Sequence, residues 1–94
     1  MEPLIESTDM EGESEEWAST GPFLLQASTK DESRVRVELL VKTAPAAPWV
    51  NVGSSRPGAA EGAMLSWPHA PAVTAKVKFY GNTAGDPVKI WRTA

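Results

Sequence analysis

The chain has 94 residues, with 12 acids against nine bases for a formal net charge of −3, and 41% of its residues are hydrophobic. That length holds one domain with a modest core, worth on the order of 5 kcal/mol of net stability or somewhat more. The absence of cysteine excludes disulfides, thiolate metal sites and cysteine nucleophiles, and leans towards a reducing or assembly-bound setting.

The first segment is acidic. Residues 1–16 carry seven acids (Glu2, Glu6, Asp9, Glu11, Glu13, Glu15, Glu16) and no base, whereas residues 17–94 carry nine bases and five acids. The N-terminus lacks the basic-then-apolar order of a secretory signal, and no apolar run approaches a membrane-spanning length. The expectation is a soluble protein. With only Leu4, Ile5 and Met10 to bury, residues 1–16 read as a flexible arm outside a domain of residues 17–94. The arm either docks on a basic surface of a partner or keeps the protein soluble. Leu4 and Ile5 are its candidate anchors, and Glu11 and Glu13 its candidate charged contacts.

From Trp17 onward the pattern is that of short strands. Residues 22–27 read as a strand and residues 28–32 as a turn. Residues 33–42 alternate with period two: Val35, Val37, Leu39 and Val41 share one face, and Arg34, Arg36, Glu38 and Lys42 the other. Leu40 stands on the polar face, where it is a candidate contact. Pro45 and Pro48 interrupt the pattern. Trp49–Val52 is the next strand, followed by a loop over 56–62 and a strand over 63–67. Residues 73–80 alternate again, with Val73, Ala75, Val77 and Phe79 inward. Residues 81–87 form a strong turn cluster, and 88–92 the last strand. About six short strands without helical periodicity predict an all-β fold, a small antiparallel sandwich of immunoglobulin-like type.

Catalytic chemistry has few residues to stand on. His69 is the lone histidine, in a proline-flanked loop, with no second ligand at metal spacing and no nucleophile–base pair nearby. The glycines fit turns rather than a phosphate-binding loop. The reading is a non-enzyme without cofactor or small-molecule substrate. Arg34, Arg36, Lys76 and Lys78 beside aromatic residues have the ingredients of a single-strand binding face. The body is only about +4, however, and the acidic arm competes with phosphate, so no nucleic-acid partner is expected. The four tryptophans are more informative. Trp67 shares parity with Leu65 as a core candidate, while Trp49 and Trp91 are candidates for an exposed contact patch.

The stretch Val35–Val41, a Pro/Ala loop and Trp49-Val50-Asn51-Val52-Gly53-Ser54 resemble a phrase in virion proteins of tailed bacteriophages. Residues 72–77, Gly81-Asn82 and Asp86-Pro87-Val88 are similar to the closing hairpin of those small β-sandwiches. The resemblance implies a capsid decoration (cement) protein, or a tail or fibre part, located in the virion. It implies a dimer or trimer whose terminal arm grips a capsid or tail protein. The alternatives are a carbohydrate-binding or adhesin module using Trp49, Trp91 and Tyr80, and a small intracellular interaction module.

Overall fold

The computed structural model describes residues 3–30, 32–59, 63–68 and 73–93. Nine strands follow in chain order: β1 (Ile5–Ser7), β2 (Gly12–Glu13), β3 (Trp17–Ser19), β4 (Phe23–Ser28), β5 (Arg36–Lys42), β6 (Val50–Ser55), β7 (Ala63–Trp67), β8 (Val73–Tyr80) and β9 (Val88–Arg92). One 3-10 turn (Pro57–Ala59) lies between β6 and β7. The strands form two antiparallel sheets, β1-β9-β4-β7 and β2-β8-β5-β6, with β3 also paired to β8. The fold is the all-β sandwich that the alternating pattern predicts.

The period-two segments bury the faces expected of them. Val35, Val37, Leu39 and Val41 point inward from the second sheet with Val73, Ala75, Val77 and Phe79. Phe23, Leu25, Ala27, Leu65, Val88 and Ile90 meet them from the first. Each of the larger side chains stabilises the fold by roughly 1.5–3 kcal/mol relative to exposure. Trp67 is only half-buried at the margin of this core, opposite Phe23 on β4. Val50 and Val52 do not continue the inward set. Leu39 pairs with Gly53 and Leu40 with Asn51, so Val52 is the extra residue of a bulge, while Val50 lies opposite buried Val41 yet stays exposed because β6 is the last strand of its sheet.

The N-terminal segment lies elsewhere than the sequence reading puts it. That reading sets residues 1–16 apart from the sandwich, whereas here β1 adds to the first sheet beside β9 and β2 to the second beside β8. Ile5 is 7% exposed within the core, and Leu4 packs against it. The physical reason is local: a single buried isoleucine suffices when its strand pairs with β9, and the Leu4 N–H donates to Ile90 O at 2.7 Å. Residues 14–16 face only residues 76 and 77 of β8, because Glu13 pairs with Lys78 and Trp17 with Ala75. This bulge bends the edge. The Ser14 hydroxyl accepts the Val77 N–H at 3.0 Å, so the ladder donor is not left open.

One buried side chain fixes the corner where two connections cross between the sheets. Asn82, 3% exposed, donates from Nδ2 to Asp9 O (2.9 Å) and Asp86 O (2.8 Å). Its Oδ1 accepts the Asp86 N–H at 2.9 Å, and its own N–H donates to Met10 O at 3.0 Å. Flanking Gly81 and Gly85 have φ of 79° and 69°, a left-handed backbone in which glycine carries no Cβ penalty. The turn cluster is therefore also the clasp that holds residues 9–10 against the body.

Candidate interaction surface

Charge organises the outer faces. The three ion pairs among the described residues all join the acidic segment to lysines of the body: Glu6–Lys89 (3.7 Å), Glu13–Lys76 (2.9 Å) and Glu16–Lys42 (3.9 Å). The acidic arm thus lies along its own basic surface. Each glutamate is half exposed or more, so each pair contributes at most about 1 kcal/mol. Glu11 is exposed and makes no ion pair among the described residues.

The sequence-derived site residues scatter. Leu4 and Ile5 pack into this chain's own core, which removes Ile5 from any free surface. Leu40 is half-buried on the outer face of β5, across from Lys76 on one side and Asn51 on the other. Trp49, just before β6, lies beneath two ammonium groups, with Lys42 Nζ at 4.5 Å and Lys76 Nζ at 4.6 Å from its ring centroid. Trp91 sits on the outer face of the opposite sheet, across from Gln26 of β4. Trp49 and Trp91 therefore do not form one patch. At one end of the sandwich, Trp17 meets Phe23 edge-on at 5.5 Å and carries the Arg92 guanidinium over its face at 4.9 Å. Its buried indole N–H has no hydrogen-bond partner among the described residues. His69 lies outside the described residues.

The edges of the two sheets differ in character. On the β1–β2–β3 side the strands are short, bulged and charged, carrying Glu6 and Glu13. Those are the devices that keep a sheet edge from recruiting another strand. On the opposite side β6 reads Val-Asn-Val-Gly-Ser-Ser and β7 reads Ala-Met-Leu-Ser-Trp, without one charged residue in either. The two edges lie close together, with Leu65 reaching across towards Gly53. Val50 is 55% and Val52 39% exposed on β6. Asn51 orders this edge: its Nδ2 donates to Glu38 at 2.7 Å, and its Oδ1 accepts the Gly53 N–H at 3.0 Å. Sequence reasoning names Trp49–Val52 as a strand but has no signal that it lies at the edge of a sheet.

A second feature escaped the sequence. Arg34 and Arg36 stand two residues apart on the outward face, where they read as a simple ladder. The β5–β6 hairpin, with Ser55 opposite Val37, brings Arg56 alongside them. The three arginines line one open concavity of about 410 Å³.

The described residues contain no group of three or more His, Cys, Asp or Glu that could hold a metal ion. No helix among them is long and apolar enough to cross a membrane. Compared with known families, curated proteins and solved structures, the chain matches none.

Proposed function

We propose that this chain is a non-catalytic assembly protein that packs through the uncharged β6 edge, with the capsid decoration or cement role of the virion proteins it resembles as its specific form. The observation that carries the reading is the contrast between its edges. One side is short, bulged and charged, whereas β6 is six residues long, uncharged and apolar at Val50 and Val52. An open strand of that kind presents unpaired backbone donors and acceptors to another chain, and apolar side chains that favour its docking. A small sandwich gains stability from such pairing, because its own core is limited. The resemblance of residues 35–41 and 49–54 to phage virion sandwiches supports the same reading and covers β6 itself.

The carbohydrate-binding alternative is weaker on geometry. Sugar stacking needs an open aromatic face, and the Trp49 ring lies under two lysine ammoniums. Trp91 is on the other sheet, so no aromatic platform joins the two.

The test is the oligomeric state of the purified chain, by light scattering coupled to size-exclusion chromatography, for wild type and Val52→Lys. The account expects a defined oligomer that the lysine converts to monomer, with an unchanged far-UV spectrum. A wild-type chain that stays monomeric at high concentration, or an oligomer indifferent to Val52→Lys, contradicts it.

A further inference from the structure

The three arginines on the concavity beside β6 are among the basic residues that the acidic segment leaves without an ion pair among the described residues. Lys42, Lys76 and Lys89 each have a glutamate within 4 Å, whereas Arg34, Arg36 and Arg56 have none among the described residues. The nearby carboxylates make no ion pair with them: Glu38 is engaged by Asn51, and Glu32 lies with Arg34 along a neighbouring depression. Guanidinium charge is permanent, and its planar fork of donors matches the oxygens of a tetrahedral anion.

The concavity is also built. Arg56 Nε donates to Ser33 O at 3.1 Å, which ties the guanidinium to the backbone before β5. Ser33 itself is buried and clamped. Its N–H donates to Lys30 O (3.1 Å), and its hydroxyl accepts the Val35 N–H (3.3 Å). Glu32 N–H donates to Gly58 O at 2.9 Å, which ties the turn before β5 to the 3-10 turn after β6. Gly58 lies so close that a Cβ there would stand 2.5 Å from Ser33 N and O. Arg34 and Arg56 are thereby held in a fixed relation by backbone. Arg36 is placed by the β5–β8 ladder opposite Tyr80.

From this geometry we infer that Arg34, Arg36 and Arg56 form a binding site for a tetrahedral oxyanion ester, a phosphate or sulfate group carried by a larger molecule. Three guanidiniums lining one concavity suit an anion with several oxygens better than a single carboxylate, which one fork satisfies. The open shape admits a group attached to a bulky ligand. The inference is independent of packing through β6.

The test is an amide-resolved NMR titration of the full chain with inorganic phosphate, against chloride at matched ionic strength. Phenyl phosphate and phenyl sulfate then distinguish the two ester sources. Saturable shifts confined to residues 33–36 and 56–58 are expected. Arg36→Gln should weaken binding by about tenfold or more, since it removes charge-assisted hydrogen bonds. Arg36→Lys should fall between, keeping charge but losing the fork. Arg56→Gln should weaken binding similarly, but it also cuts the Ser33 contact, so Arg36→Gln decides the matter, with its unfolding midpoint unchanged. Lys89→Gln, on the other sheet, should bind as wild type. Absence of saturable shifts, or an equal loss in Lys89→Gln, overturns the site in favour of diffuse counter-ion attraction.

Discussion

Removing the Asn82 side chain should cost this small domain a large share of its stability. Asn82→Ala deletes three hydrogen bonds: Nδ2 to Asp9 O, Nδ2 to Asp86 O, and Asp86 N–H to Oδ1. A hydrogen bond contributes about 1 kcal/mol net, and a buried group left unpaired costs about 1–3 kcal/mol. Asp9 is exposed, so water can replace its partner, while Asp86 is half-buried and less easily rescued. The expected loss is about 2–3 kcal/mol. For a domain of this size that lowers the thermal midpoint by roughly 8–24 °C. Asn82→Asp should be no better, because it puts a carboxylate oxygen where an amide donor now faces two carbonyls. Thermal unfolding followed by far-UV circular dichroism reads the effect, with Thr83→Ala as the exposed neighbouring control. A drop of under about 4 °C for Asn82→Ala, equivalent to less than about 1 kcal/mol, would refute the clasp.

Two further perturbations test the packing. Deleting residues 1–16 removes β1, β2 and the buried Ile5, and leaves the β9 edge unpaired. The loss of Ile5 burial alone is worth roughly 1.5–3 kcal/mol. Urea unfolding should show a markedly lower midpoint or an unfolded chain, and an unchanged midpoint would separate the segment from the sandwich. Gly58→Ala drives a Cβ into the Ser33 backbone and should destabilise by about 1–3 kcal/mol. Gly21→Ala, which meets nothing within 4 Å, should sit within about 0.5 kcal/mol of wild type in the same assay.

The central strands were legible because alternation is a direct consequence of a pleated strand with one dry face. Residues 73–80 and 88–92 were bounded as the structure bounds them, and Val35 to Val41 were placed inward. The N-terminal strands were not legible. Three and two residues carry too little pattern, and Ile5 among acids looks like a solvated arm until β9 is beside it. The surplus of acids was visible, but its destination was not: pairing with Lys42, Lys76 and Lys89 depends on which strands end up adjacent. Trp49–Val52 reads as a strand, but alternation does not say that this strand ends its sheet: Val50 lies opposite buried Val41 and is still 55% exposed. Arg56 was assigned to a loop, yet the hairpin of β5 with β6 would have placed it beside Arg36 had the register been followed to its end. Asn82 read as a turn residue, which it is, but its buried bonds to Asp9 need a partner 73 positions away.

The most direct test of assembly through β6 is hydrogen exchange at residues 50–55, measured amide by amide on dilute and concentrated samples. A second chain pairing with this edge would protect its outward N–H groups only at concentrations where the oligomer forms. The account predicts protection that rises with concentration at β6 and is unchanged on the charged β1–β2–β3 side. Protection at β6 that stays flat across that range, or a rise confined to the opposite edge, would contradict it.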